Sequence, residues 1–167
     1  MRRLALILLV VVAVVPTAAL AGRLDSGAGV FELRGVDGTV TLTATGVLWG
    51  QIDKGSIRIA SVDTSDAATP LVSGAEHVSS DGDTTVYSGT DLHFRITGGR
   101  YHLRLRGNGL DLTAIGVGNA DMVGDPAAPS TGSYAIDSGT WTPVPLLETS
   151  VPYGTANPTT TTTPSQP

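Results

Sequence analysis

Apolar and polar side chains alternate with a period of two through much of residues 22–150, and no stretch there keeps apolar residues at helical spacing. In the clearest case, apolar Val40, Leu42 and Ala44 are separated by threonines. This alternation is typical of a strand with one buried face. The pattern predicts a single all-β domain over this range, either an antiparallel β-sandwich or a partly closed barrel built of meander hairpins.

Short glycine-containing segments mark the places where these hairpins are expected to turn. Gly98-Gly99 and Asn108-Gly109 suit two-residue loops, because glycine and asparagine tolerate positive φ. Asp53-Lys54-Gly55 and Asp81-Gly82-Asp83 are typical of slightly longer turns. If the first two are hairpin loops, residues 91–117 form a three-stranded meander. Its expected cross-strand pairs are Ile96 with Tyr101, Phe94 with Leu103, Leu92 with Leu105, Leu105 with Leu112, and Leu103 with Ala114.

A repeated hexapeptide marks two places where strands are expected to bend. Residues 42–47 read Leu-Thr-Ala-Thr-Gly-Val, and residues 112–117 read Leu-Thr-Ala-Ile-Gly-Val. In both copies the apolar positions shift from even-numbered to odd-numbered residues, as a β-bulge or a glycine bend produces. The residues expected to carry the apolar face after the shift are Val47, Trp49, Ile115 and Val117.

One face of the predicted meander is apolar, and the other face is basic. Arginines and histidines that lie across from one another repel, so anionic groups are expected close to them. The meander places Asp111 opposite Arg106 and Thr113 opposite Arg104. The six residues of the predicted basic face, which are also the candidate ligand-binding residues, are His93, Arg95, Arg100, His102, Arg104 and Arg106.

Two interpretations of this basic face follow from the sequence. In the first, carboxylates of the protein itself form a lattice with the arginines, which suit two-toothed pairing with carboxylates. In the second, the face binds an anionic ligand outside the cytoplasm: a cell-wall polymer, a lipid headgroup or an acidic envelope protein. The acids available for the first interpretation are Asp53, Glu76, Asp91, Asp111 and Asp137.

The first 21 residues have the parts of a secretory signal peptide. An apolar run from Leu4 to Val15, expected to be helical, follows Arg2 and Arg3, and small residues precede the expected cleavage between Ala21 and Gly22. The alternative is an uncleaved membrane anchor, which is the one case in which membrane contact is expected. The segment predicts export by the general secretory route, so that the protein is secreted or held in the cell envelope.

Composition narrows the possible partners and chemistry. The chain has no cysteine, so neither disulfides nor cysteine-based catalytic or metal sites can form. Loss of Arg2 and Arg3 makes the mature chain more acidic than the formal net charge of −5 for the whole sequence, which argues against nucleic acid as a partner. Residues 151–167 are rich in threonine and proline, and we expect them to be a disordered tail.

The sequence offers no pattern of catalytic quality. The Gly-x-Ser-x-Gly motif of a serine hydrolase is absent, and the three histidines lack the spacing of a zinc site. No catalytic residue, metal site or cofactor is therefore predicted. The expected function is a non-enzymatic cell-envelope or secreted domain that binds an anionic component. The alternatives are a purely structural part of an envelope assembly and, third, an unrecognised extracellular hydrolase.

Several short motifs resemble an uncharacterised family of exported bacterial all-β proteins. They are Tyr87-Ser88-Gly89, the Phe-Arg-x-x-Gly-Gly-x-Tyr core of residues 94–101, the glycine-rich run of residues 107–114, and the aromatic residues Tyr134 and Trp141. The resemblance extends from about residue 36 to residue 145. It implies the architecture and the export of the chain, and no catalytic activity.

Overall fold

The computed structural model describes residues 27–61 and 70–154. The predicted signal peptide, with its expected cleavage between Ala21 and Gly22, lies outside the described residues, as does the tail from residue 155 onward. Within the described part of the chain, no helix has the length and apolar character needed to cross a membrane.

The described residues form one antiparallel sheet that does not close on itself, which confirms the all-β prediction. The strands follow the order β2-β3-β1-β4-β7 across the sheet, with β5 added to the free edge of the first part of β1 and β6 added to β5. Their bounds are β1 Gly29–Ser61, β2 Leu71–Asp81, β3 Thr84–Ile96, β4 Arg100–Gly124, β5 Ser133–Ile136, β6 Thr142–Pro143 and β7 Thr149–Tyr153.

Strands β1 and β4 are unusually long and pair with each other along both edges. Residues 38–61 of β1 pair with residues 101–124 of β4 in a single register, and residues 29–45 pair with residues 100–116 on the opposite edge. Thr39, for example, lies between Arg106 and Val123. Two strands can meet twice in this way only if the sheet curls strongly, and this curl encloses the core.

The predicted hairpin at Gly98-Gly99 is wrong. Ile96 at the end of β3 pairs with Leu48, and Arg100 at the start of β4 pairs with Thr45, so β3 and β4 lie end to end along the same edge of β1. The intervening residues form a short interruption, anchored by a hydrogen bond of 3.1 Å from the Gly46 N–H to the Gly99 carbonyl. The expected pairs across this turn therefore do not form, and β1 separates most of β3 from β4.

The predicted turns at Asn108-Gly109 and at Asp53-Lys54-Gly55 are also wrong, because β4 and β1 run straight through them. At each segment the buried positions instead change between odd-numbered and even-numbered residues. The change lies between Leu105 and Leu110 in β4 and between Ile52 and Ile57 in β1. The turn at Asp81-Gly82-Asp83 is confirmed, since it joins β2 to β3. The meander predicted from these dipeptides is therefore replaced by two long, irregular strands.

The buried phase does not change at the repeated hexapeptides, contrary to the prediction. Leu48 is fully buried while Trp49 is 37% exposed, and Ala114 and Ala120 are buried on either side of the second glycine. The two glycines of the repeat, Gly46 and Gly116, instead pair with each other across β1 and β4.

The residues of the predicted meander that were assigned to the core by alternation are part of it, although their partners differ from the expected ones. The apolar side chains predicted to line one face of the meander are all buried, and no polar or charged residue is buried among the described residues. Those side chains are Leu92, Phe94, Ile96, Tyr101, Leu103, Leu105, Leu112 and Ala114.

The domain ends later than predicted. β7 includes residues 151–153, which were assigned to the disordered tail, and it pairs with the last part of β4. Val151 and Tyr153 are buried, and the Tyr153 ring stacks on Phe31 with a centroid distance of 5.5 Å. Because this segment is rich in threonine and proline, Val151 and Tyr153 were not predicted to be core residues.

Candidate functional site

A row of exposed basic side chains follows the outer face of β4. They alternate with the buried residues Tyr101, Leu103 and Leu105. Because successive side chains of a strand point to opposite faces, the basic side chains point outward. Arg58 on β1 joins the row because it pairs directly with Arg104. We call this set the arginine strip; its members are Arg58, Arg100, His102, Arg104 and Arg106.

Threonines line the other side of the arginine strip. Thr39, Thr41 and Thr45 pair with Arg106, Arg104 and Arg100. Thr43 pairs with His102, and the Thr43 Oγ1 and His102 Nδ1 atoms are hydrogen-bonded at 2.8 Å. The four basic residues of β4 therefore lie between Arg58, on the last part of β1, and a ladder of hydroxyl groups on an earlier part of β1.

Within the described ranges, no arginine of the strip forms an ion pair with a carboxylate. The single ion pair found there joins the His93 Nε2 and Asp91 Oδ1 atoms at 3.1 Å, and it lies on β3. Asp121, the acid that shares a row with Arg104, is separated from it by Thr41. Arg58 and Arg104 form a directly opposite cross-strand pair, in which Cβ atoms are about 5 Å apart. Their like charges therefore repel, and no described acid lies between them.

Three of the five acids expected to neutralise the basic face have partners outside it, and among the described residues Asp91 pairs only with His93. Asp111 lies opposite Gln51 rather than Arg106, and it accepts hydrogen bonds from the Gly35 N–H at 2.8 Å and from Gln51 Nε2 at 3.1 Å. Asp137 accepts from the Val30 N–H at 2.8 Å. Glu76 accepts from the Thr90 hydroxyl and backbone N–H, which lowers the pKa of the Glu76 carboxyl.

The predicted six-residue basic face is divided in the structure. Arg100, His102, Arg104 and Arg106 stay together, whereas His93 and Arg95 lie on β3, beyond the interruption at residues 97–99. There they pair with Gln51 and Trp49 of β1. Along this edge of β1 the partner changes from β4 at Thr45 to β3 at Leu48, which separates two surfaces that were predicted to be one. Thr113 pairs with Trp49 and Glu32 rather than with Arg104.

The second surface is an open groove of about 570 Å³ that crosses β3, β1 and β4. Trp49 is its large exposed residue, and Arg34 lies at one end with its guanidinium 4.0 Å from the centroid of the Trp141 ring. We call it the tryptophan groove; its polar and aromatic lining residues are Glu32, Arg34, Trp49, Gln51, His93, Asp111 and Thr113.

This groove was not predicted, because the shift expected at the repeated hexapeptide placed Trp49 in the core. The information was present: Leu48, Gly50 and Ile52 continue the even-numbered buried phase of Leu42, which leaves Trp49 outward beside Gln51. Neither Glu32 nor Arg34 could be assigned to the groove, since they reach it only through the second pairing of β1 with β4.

Within the part of the chain that the structure describes, no three histidine, aspartate or glutamate side chains come together as a potential metal site. No family model, curated protein or solved structure matches this chain. The resemblance to exported bacterial all-β proteins therefore stays a prediction, and the functional argument rests on the two surfaces themselves.

Proposed function

We propose that the protein is an exported, non-enzymatic β-domain that binds an anionic polymer of the cell envelope through the arginine strip. One observation carries this proposal. Arg58 and Arg104 lie directly opposite each other on an exposed face, and no described carboxylate pairs with any arginine of the strip. Such an arrangement is unfavourable in the free protein, and an anionic ligand would relieve it.

The geometry of the strip favours a polymer over a single small anion. Alternate side chains on a strand are about 6.8 Å apart, so the four basic positions of β4 span roughly 20 Å. Guanidinium groups bind phosphate and carboxylate in two-toothed fashion, and the threonine ladder supplies further hydrogen-bond donors. A chain with repeated phosphates or uronates would contact several of these groups at once.

Export is the second part of the proposal, and it rests on the sequence of residues 1–21. Cleavage between Ala21 and Gly22 would place the arginine strip where envelope polymers are found. Mass spectrometry of the mature protein tests this part by itself, because an N-terminus at Met1 would contradict cleavage.

A structural role in an envelope assembly is the second candidate, and one observation favours it. β2 is the outermost strand at its side of the sheet, and it exposes Leu71 and Val78. An edge of this kind can accept a strand from another chain. Strand addition at β2 would leave the arginine strip exposed, so the two roles are compatible.

Removal of arginines from the strip tests the binding function. In the Arg58→Ala/Arg104→Ala variant we expect the Kd for a soluble poly(glycerol phosphate) or polyuronate to rise at least tenfold, which corresponds to about 1.4 kcal/mol. The melting temperature should stay nearly constant or rise slightly, because the two like charges repel. Equilibrium binding at two salt concentrations and thermal unfolding are the measurements, and the wild-type affinity should fall with salt.

Arg104→Ala and Arg95→Ala form a matched pair of single variants, since each change removes one exposed arginine from a strand. Arg104→Ala should weaken polymer binding, whereas Arg95→Ala should keep most of the affinity, because Arg95 lies on β3, outside the arginine strip. Equal losses in both variants would indicate attraction by overall charge and contradict a local site. A clear loss of stability in Arg104→Ala would instead favour the lattice, and binding to anionic vesicles but to neither polymer would identify a lipid headgroup as the ligand.

A further inference from the structure

The tryptophan groove has a chemistry different from that of the arginine strip. Two rows of outward side chains cross it, one with Arg95, Trp49 and Thr113, and the other with His93, Gln51 and Asp111. Each row runs across β3, β1 and β4, which are bonded to one another through the centre of the sheet. The groove is therefore built on rigid elements, as a preformed binding site requires.

Trp49 gives the groove an apolar platform. Its side chain is 37% exposed on a central strand, where folding alone does not require a large aromatic residue. The face of an indole ring carries partial negative charge, and it attracts the slightly positive C–H groups that cover one face of a pyranose ring. Arg95 and Thr113, its neighbours on β3 and β4, lie to either side of it.

Planar polar groups next to this platform are held in fixed orientations. The Asp111 carboxylate is bonded to the Gly35 N–H at 2.8 Å and to Gln51 Nε2 at 3.1 Å, which leaves the Gln51 carbonyl as a free acceptor among the described hydrogen bonds. His93 is held by Asp91 at 3.1 Å. Side chains with paired donors and acceptors at fixed angles suit the neighbouring hydroxyl groups of a sugar.

The charges and the shape of the groove indicate which class of ligand it can bind. Glu32 and Asp111 of the groove are offset by Arg34, and by Arg95 of the adjoining depression, so neither sign of charge is in large excess. The groove continues past His93 into a shallow depression of about 340 Å³ that reaches Leu71 on the edge strand β2. An open channel with balanced charge suits an extended neutral chain better than a single small anion.

We propose that the tryptophan groove binds a neutral polysaccharide, with a sugar ring stacked on Trp49 and its hydroxyl groups bonded to Gln51 and His93. This site is separate from the arginine strip and does not rest on the function proposed for it. The protein would then hold two different carbohydrate or phosphate chains on separate surfaces of the same sheet.

Substitution of Trp49 tests this proposal. The probes are soluble hexasaccharides of β-1,4-linked glucose, β-1,4-linked N-acetylglucosamine and α-linked mannose, titrated into the full mature protein by calorimetry and by tryptophan fluorescence. We expect at least one of them to bind the wild-type protein. Trp49→Ala should weaken that binding at least tenfold and abolish the fluorescence change, whereas Trp49→Phe, which keeps an aromatic face, should retain part of the affinity.

The controls separate a binding role from a structural role and from the arginine strip. Leu147→Ala removes an exposed apolar side chain elsewhere on the surface and should leave sugar binding unchanged. Trp49→Ala should shift the melting temperature by less than about 2 °C and keep the affinity for the anionic polymers. Wild-type protein that binds none of the hexasaccharides, or Trp49→Ala protein that binds them as well as wild type, would overturn the proposal.

Discussion

The Gly46→Ala variant is expected to lose about 4 kcal/mol or more of its free energy of unfolding, a large share of the stability of a domain of this size. Gly46 has a φ of 145°, which residues with a Cβ atom rarely adopt. A Cβ atom added there would also collide with the carbonyl oxygen of Ile115 on the paired strand. Because both atoms belong to the central ladder of β1 and β4, neither can move without breaking backbone hydrogen bonds.

Gly98→Ala is the matched control for this change. Gly98 does not have a positive φ, and no heavy atom lies within 4 Å of the position that its Cβ would occupy. We expect its stability to remain within about 0.5 kcal/mol of wild type, or to increase because alanine restricts the unfolded chain. Urea unfolding followed by circular dichroism measures both variants. A large loss in Gly98→Ala with little loss in Gly46→Ala would instead support the tight hairpin expected from the sequence.

Above pH 10 the protein is expected to lose stability steeply because of two buried tyrosines. Tyr101 and Tyr153 are almost fully buried, and neither hydroxyl has a hydrogen-bond partner within the described residues. Burial raises the pKa of both phenols above the ordinary value of 10.0, and the nearby Tyr153 raises that of Tyr101 further. The folded state therefore holds two protons that the unfolded chain releases.

The sign and the size of the effect follow from this difference in bound protons. The stability that the neutral phenols contribute is fully present below pH 10 and declines as the pH rises from there towards the raised pKa values. Each proton that the folded state keeps and the unfolded chain releases corresponds to about 1.4 kcal/mol per pH unit. Urea unfolding between pH 8 and pH 11.5 measures the slope.

The Tyr101→Phe/Tyr153→Phe variant should remove most of this alkaline slope. Near neutral pH it should be as stable as wild type or slightly more stable, because it deletes two buried hydroxyls without partners in the described structure. Tyr87→Phe, at a half-buried position of β3, should keep the wild-type slope. An unchanged slope in the double variant would show that these phenols do not remain neutral in the folded state.

Except after the repeated hexapeptides, period-two alternation predicted the buried and exposed faces of the strands correctly, but it could not predict which strands pair. The face of the sheet on which a side chain lies depends on the pattern of its own strand. Which strands lie next to each other depends on the path of the whole chain. Gly98-Gly99 and Asn108-Gly109 have the same composition whether they turn a hairpin or interrupt a strand. Since the structure uses them as interruptions, β1 is inserted where the sequence predicted direct contact between β3 and β4.

The same limit applies to the candidate sites, where the exposure of side chains could be predicted but the pairing of strands could not. The exposure of Arg104 and Arg106 could be predicted from the sequence, because these arginines alternate with leucines that are buried in the core. That Arg58 joins them could not be predicted, because it depends on the long-range pairing of β1 with β4. Trp49 could have been placed outside by extending the phase of Leu42, had the repeated hexapeptide not suggested a shift.

The double pairing of β1 with β4 also determines the order in which the chain can fold. Residues 38–45 lie between residues 100–107 and residues 117–124, so their ladders cannot be completed until nearly the whole domain is available. Pairing between such distant segments is slow, because a long loop must close before any contact stabilises it. A chain that emerges from the ribosome with its N-terminus first would thus lack its native strand pairing through most of its synthesis.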